Sequence, residues 1–234
     1  MQDHPIHVCA GLPRSGTTWL FEALRGSGVA FLPAAKEIRY WFAPPTFIEK
    51  RDQIAYMRAT QDISPEDAAW LQRWESLDMS NPNMADYRDL MRDPDKPSID
   101  ISPSYSEMPE TNIRQLKAAL PPGSKAIMLL RDPIARIASE FKLHAYLHGR
   151  FRGPATDGTV AAFIETEGNI LAWNLTETVE RWISVFGEDF RYFIYEDIEK
   201  DKEEFLKKVL EFLCLGDVNA EVLRRKELLE YVAT

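Results

Sequence analysis

The chain has 234 residues, 45% hydrophobic and 28% charged, the balance of an ordinary folded protein rather than a disordered, collagen-like or coiled-coil one. A net charge of −9 argues against a polyanionic partner, nucleic acid included. No apolar run approaches the ~18 residues of a membrane span, no signal-peptide pattern opens the chain, and two cysteines cannot build a disulfide framework, so the expectation is a cytoplasmic protein with no membrane span.

In chain order, Ile6 to Ala10 reads as a buried strand ended by the turn residues Gly11 and Pro13. Thr17 to Arg25 carries Trp19, Leu20, Ala23 and Leu24 at helical spacing and is closed by Gly26. Val29 to Leu32 reads as a second strand and Ser98 to Ile101 as a third. Lys125 to Leu130 (KAIMLL) is the clearest buried strand, followed by a helix from about Pro133 to His148. Arg191 to Tyr195 makes a fifth strand and Lys202 to Leu213 a periodic helix. Strands alternating with helices predict an α/β fold, a central parallel sheet flanked by helices, as one domain over residues 1–234. The stretch Ala43 to Pro97, richer in Pro, Asp and aromatics, reads as an insertion of short helices over that sheet.

The strongest local pattern is Gly11-Leu12-Pro13-Arg14-Ser15-Gly16-Thr17-Thr18 between the first strand and the first helix. G-x-x-x-x-G in that position forms a loop whose backbone amides and helix N-terminus face an anion. Nucleotide triphosphatases need Lys at the next position, but Thr17 stands there and the positive charge has moved to Arg14. Arginine acts as a planar fork on a terminal oxyanion group.

PRSGTTWL resembles the 5′-phosphosulfate loop of sulfotransferases that use 3′-phosphoadenosine 5′-phosphosulfate (PAPS) and release PAP. The resemblance implies a P-loop-type fold, with Arg14, Ser15, Gly16, Thr17 and Thr18 holding the phosphosulfate and Trp19 near the adenine. Leu129-Leu130-Arg131-Asp132-Pro133, with Ser139 eight residues after Arg131, is similar to the family's 3′-phosphate site. An Arg at a strand end and a Ser two turns into the next helix can converge on one phosphate. Arg136 on that helix reads as structural or solvent-facing. The resemblance runs from Ile6 to Gly216; beyond it the basic run Arg224, Arg225, Lys226 stands where many members carry a loop closing over the nucleotide.

Lys36-Glu37-Ile38-Arg39-Tyr40-Trp41 is similar to the K-E-x-H segment of glycan sulfotransferases and, through E-x-R, to that of tyrosylprotein sulfotransferases. Sulfuryl transfer is an in-line displacement needing a base on the acceptor hydroxyl and cations at the developing charge. Glu37 suits the first role; Arg14 and Lys36 suit the second, with Arg39 on the substrate side. Asp100-Ile101-Ser102-Pro103-Ser104-Tyr105 is similar to the family's E-K-S-P-x-Y segment but has Ile101 where glycan enzymes carry a Lys, so Asp100 and Ser102 become candidates for the acceptor wall and Asp100 an alternative base. None of His4, His7, His144 or His148 lies mid-chain, where cytosolic sulfotransferases place their basic His; no metal is expected.

Across Ala43 to Pro97 there are 7 Lys and Arg against 11 Asp and Glu, and Trp41, Phe42, Phe47, Tyr56, Trp70, Trp74 and Tyr87 lie on or beside it. An acidic, aromatic acceptor side disfavours sulfated glycan chains and suits a small, neutral or apolar hydroxyl compound. The expected activity is PAPS-dependent O-sulfation of such a compound. The alternatives are a P-loop nucleotide kinase, separable by Mg²⁺-dependent ATP binding, and a non-catalytic nucleotide-binding protein.

Overall fold

The computed structural model describes residues 3–42, 47–60, 62–78, 82–147, 156, 158–159, 161–165 and 175–216. Four strands form one all-parallel sheet: β1 (Ile6–Cys9), β2 (Ser98–Ile101), β3 (Ala126–Leu130) and β4 (Phe190–Ile194), in the order β2-β1-β3-β4. The strand expected over Val29 to Leu32 does not form; its one sheet contact is a bridge from Phe31 to Ser98. Gly28, two residues before the expected strand's centre, turns the chain at φ 69°, which leaves too short an extended run to propagate a ladder.

Thr17–Ser27 forms helix α1, two residues longer than the periodicity predicts. Gly26 is tolerated in the last turn, and Gly28 takes the left-handed C-cap. The region between β1 and β2 then supplies α2 (Phe47–Thr60), α3 (Pro65–Ser76) and α4 (Met84–Met91), the expected helical insertion. The Ser64 and Asn83 side chains cap α3 and α4 by accepting from Asp67 N and Asp86 N. After β2 come a 3-10 turn (Pro103–Glu107) and α5 (Glu110–Ala119); α6 (Pro133–Leu147) follows β3. Next come α7 (Leu175–Phe186), α8 (Glu196–Lys200) and α9 (Lys202–Leu213), the last with the bounds the sequence predicts.

Successive strand residues point to opposite faces, so each strand feeds two cores. Val8, Ala126 and Met128 join one cluster with the insertion; Cys9, Ile127, Leu129, Ile99 and Ile101 join the other with α1 and α9. Asp100 alternates with Ile99 and Ile101 and therefore faces the insertion. The insertion's aromatics are mostly core: Trp70, Trp74 and Tyr87 are at most 1% exposed, and Tyr40, Trp41 and Tyr87 pack ring against ring. Each such ring removes roughly 150–250 Å² from water, several kcal/mol at ~25 cal/mol per Å². That corrects the expectation of an aromatic acceptor wall: of the aromatics named above whose side chains are described, Tyr56 is the one standing widely open, at 65%.

The chain leaves β1 for β2 on one side and later returns to β3 on the other. The C-terminal end of β1 is therefore the switch point of the sheet, where α/β folds open a crevice.

Candidate active site

Gly11 ends β1 at φ 129°, where an added Cβ would stand 2.7 Å from Pro103 O. The loop then turns through Arg14 at φ 63° and Gly16 at φ 84° into α1. Gly16 has a second reason to be glycine, since its Cβ would lie 2.8 Å from the ring of Tyr195 and 3.0 Å from Ile198. The N-cap of α1 carries no side-chain cap, and its first turn no acidic residue, so the helix start keeps its amides and positive dipole end for an anion. Ser15 and Thr17 are buried within this turn, while Thr18 reaches outward to Lys36.

The two motifs meet on Arg14. Its Nε donates to Ser139 Oγ at 3.0 Å and stands 3.8 Å from the Glu140 carboxylate, while its carbonyl accepts from Arg131 Nη1 at 3.0 Å. The Arg131 guanidinium carbon stands over the Tyr195 ring, 4.2 Å from its centroid, and its buried Nε has no hydrogen-bond partner. Tyr195 thus packs against Gly16 and stacks under Arg131, a placing role for a residue that the sequence marks only as the end of the fifth strand. Three cations, Arg14, Arg131 and Lys36, surround an uncapped helix N-terminus, so these residues fit a dianionic phosphosulfate and its nucleotide. One expectation changes and another is narrowed. Trp19 is 2% exposed and packs edge-on against Phe205 in the core beyond α1, so it has no face left for an adenine. Arg136 is 3% exposed, structural rather than solvent-facing.

On the far side of α1 the segment Lys36 to Arg39 forms a short chain of charges. Lys36 Nζ donates to Thr18 Oγ1 at 3.1 Å and to Glu37 Oε1 at 3.0 Å; Arg39 Nη2 donates to Glu37 Oε2 at 3.0 Å. Gln53 of α2 donates to the Lys36 carbonyl. Burial pushes the Glu37 carboxyl up, but the charges and hydrogen bonds of Lys36 and Arg39 outweigh it and hold the group below its ordinary value. Glu37 is therefore an anion at neutral pH, one bond from Lys36 and two from the phosphate loop. Glu37 and Arg39 themselves sit at φ 65° and 52°, a left-handed backbone in which non-glycine residues are strained by roughly 1 kcal/mol or more each.

Asp100 and Ser102 are corrected. Both are fully buried, so neither lines an acceptor surface. Asp100 Oδ1 accepts from Ser102 Oγ at 2.7 Å, and Oδ2 accepts from Tyr87 at 2.9 Å and Tyr105 at 3.0 Å, which also removes Asp100 as a base for substrate. Of the four histidines, His7 is buried and neutral, its pKa lowered to about 4 by burial and by Lys125. His148 and the side chain of His144 lie outside the described residues, as do Arg224, Arg225 and Lys226. Among the described residues no helix is long and apolar enough to cross a membrane.

No curated protein sequence matches the chain. Solved structures share its fold. The sulfotransferase domain of the Synechococcus PCC 7002 olefin synthase aligns with TM-score 0.63 at 20% identity, over 95% of this chain and 78% of that one. A sulfotransferase domain from the curacin biosynthetic pathway aligns with TM-score 0.58 at 24% identity, over 94% and 77%. A mouse sulfotransferase complexed with PAP aligns with TM-score 0.53 at 16% identity, over 96% and 64%. A sequence model described as the sulfotransferase family matches residues 5–217, which takes in the loop, the strand-end arginine and the closing helix, and the chain belongs to that family.

Proposed function

We propose that this protein moves a sulfuryl group from PAPS to the hydroxyl of a small, neutral or apolar acceptor. The observation that carries the reading is the bridge made by Lys36, which touches the phosphate-loop residue Thr18 and the carboxylate of Glu37 through one ammonium group. PAPS, when bound, supplies the sulfuryl group on its 5′-phosphosulfate and a 3′-phosphate as a second handle.

The protein's own residues supply the rest. The amides at the start of α1, with Arg14, Ser15, Gly16, Thr17 and Thr18, hold the 5′ end, and Arg131 and Ser139 take the 3′-phosphate. Glu37 accepts the acceptor's hydroxyl proton. Each of its oxygens already takes one hydrogen bond and keeps a second lone pair for this. Its lowered pKa keeps it ionised and available over a wide pH range. Lys36 and Arg14 offset negative charge beside the reacting group, and Arg39 fixes the carboxylate from the other side.

The acceptor side is read from a cavity of about 400 Å³ that opens beside Lys36 and Thr18, between α1 and the first two insertion helices. Phe21, Tyr56, Met57 and Ile63 give it an apolar wall, and Glu22, Asp62 and Asp67 outnumber Arg25 and Lys36 among its charges. Arg25 is moreover paired with Asp67. Such a wall repels a polyanionic glycan and accommodates a compact hydroxyl compound.

Calorimetric titration tests the donor. PAP is expected to bind more tightly than AMP, and without Mg²⁺. Equal affinity for PAP and AMP would refute the donor reading, and preferential binding of ATP with Mg²⁺ would replace it with a phosphoryl-transfer one. A labelled-sulfate screen tests the acceptor: heparan or chondroitin chains working better than small neutral alcohols and phenols at equal salt would overturn that part.

A further inference from the structure

Three backbone amides at alternate positions tie the segment around Glu37 to the end of β2. Glu37 N donates to Ile101 O at 3.0 Å, Arg39 N to Ser102 Oγ at 3.3 Å, and Trp41 N to Tyr105 Oη at 3.4 Å. The last two acceptors are hydroxyls, and both are donors to the same carboxylate, Asp100. A hydroxyl has one proton and two lone pairs. A carboxylate can only accept, so it draws the Ser102 and Tyr105 protons to itself and turns their lone pairs toward the Arg39 and Trp41 amides. Tyr87 of α4 donates to the same oxygen as Tyr105, Oδ2, which locks the carboxylate to the insertion as well.

We infer that Asp100 is a positioning residue for catalysis, its buried carboxylate orienting Ser102 and Tyr105 as clamps on the amides of Arg39 and Trp41. The clamp holds Glu37 and Arg39 in the left-handed backbone that neither would adopt by itself, and so aims the Glu37 carboxylate between Lys36 and Arg39. Asp100 touches no substrate and acts only through these two hydroxyls. This role rests on the proposal that Glu37 is the base.

Protonation of Asp100 would loosen the clamp, because a carboxylic acid must donate its one proton to Ser102, Tyr105 or Tyr87, each of which now donates to it, and the carboxyl no longer fixes the direction of all three hydroxyls. The titratable groups facing Asp100 are Tyr87 on α4 and Tyr105 on the 3-10 turn; Cys9 on β1 points to the opposite face of the sheet and feels the carboxylate only through space. Burial raises both phenols well above their ordinary value and pushes the thiol up to about 12, so all three stay neutral. Asp100 itself is raised by burial to about 6, against the lowering by its three hydrogen bonds. Glu37, in contrast, is lowered.

The test compares the wild type with Asp100→Asn, Ser102→Ala and Glu37→Gln, reading amide hydrogen exchange, kcat, the KM for PAPS and the pH profile. Asparagine keeps the volume of Asp100 but sets an N–H against hydroxyls that must then turn. In Asp100→Asn the Arg39 and Trp41 amides exchange faster, kcat falls about 10–100-fold, the scale of a misplaced catalytic group, and the KM for PAPS is unchanged. The milder Ser102→Ala releases Arg39 but not Trp41. In the wild type kcat declines as pH falls through about 6; in Asp100→Asn that decline moves to the lower pH at which Glu37 takes its proton. Unchanged exchange at both amides, or an unmoved acid limb, overturns the clamp. Freed amides in Asp100→Asn together with normal turnover in Glu37→Gln overturn the base assignment and leave the clamp standing. The opposite pair leaves the base and removes the clamp.

Discussion

The loop Gly11 to Thr18 and the segment Lys36 to Trp41 both place charged groups through left-handed backbone, and they do it by opposite means. The loop is a local device: glycines at φ 129° and 84°, a strand before it, and a helix whose own amides finish the site. The segment has no glycine and no regular structure, yet Glu37 and Arg39 hold φ 65° and 52°. What holds them is distant in sequence, namely Ile101, Ser102 and Tyr105, some 60 residues downstream. An anion site can be encoded in eight consecutive residues because helix ends are anion sites already. A base has no such local solution, since a carboxylate's direction depends on whatever surrounds it.

The largest effect that would break this comparison is at the base. Glu37→Gln keeps the shape and one acceptor oxygen but sets an amide NH2 in place of the other and loses proton acceptance, so kcat should fall about 10²–10⁴-fold while PAP affinity holds. Initial rates beside a PAP titration check it; near-normal turnover removes Glu37 from the mechanism.

Next comes the loop side. Arg131→Ala should weaken PAP binding by roughly 30–150-fold, on the order of 2–3 kcal/mol for a charge-assisted contact and its neighbours. Arg131 also braces the Arg14 carbonyl and stacks on Tyr195, so some loss from the loop itself is expected. AMP, which lacks the 3′-phosphate, separates the two: an equal loss for AMP and PAP means Arg131 only supports the loop.

The smallest effect concerns the cost of the buried carboxylate. Asp100 has its folded pKa raised from 3.8 to about 6. A raised acid favours folding fully below its unfolded value, and that contribution is lost as pH rises through about 6. Two pKa units correspond to on the order of 2–3 kcal/mol, reduced in practice by relaxation around the site. Thermal melts should therefore show the wild type losing stability relative to Asp100→Asn between about pH 4 and 6. Parallel melting curves across that window would mean the carboxylate is not desolvated as its full burial implies.

How far the chain could be read without its structure follows the same division. α9 and the start of α1 have the bounds that helical spacing announces, and β3 starts one residue later than its apolar run, because both signals act over a single turn or strand. Val29 to Leu32 carries a strand's composition but pairs through one bridge, since a strand exists only where a partner meets it. Trp19 and Trp70 illustrate the limit for side chains. An aromatic beside a site motif has the same letter whether it stacks on a ligand or on Phe205 or Trp74, and only the packing tells which.

By itself, then, the amino-acid sequence determined the parallel α/β plan and the glycine-framed turn between β1 and α1 with its Arg14, and it pointed to Arg131 and Ser139, which both meet Arg14. Each follows from short-range rules: strand then glycine turn then helix, and a strand end facing the next helix. Tertiary structure alone decided that Tyr195 carries both Gly16 and Arg131, that the insertion's tryptophans are core, and that Asp100 lies buried under the Lys36 to Trp41 segment. Those outcomes depend on which face of a strand meets which helix, and for Asp100 the period-2 alternation of β2 turned a carboxylate inward, where three hydroxyls from three places in the chain satisfy it.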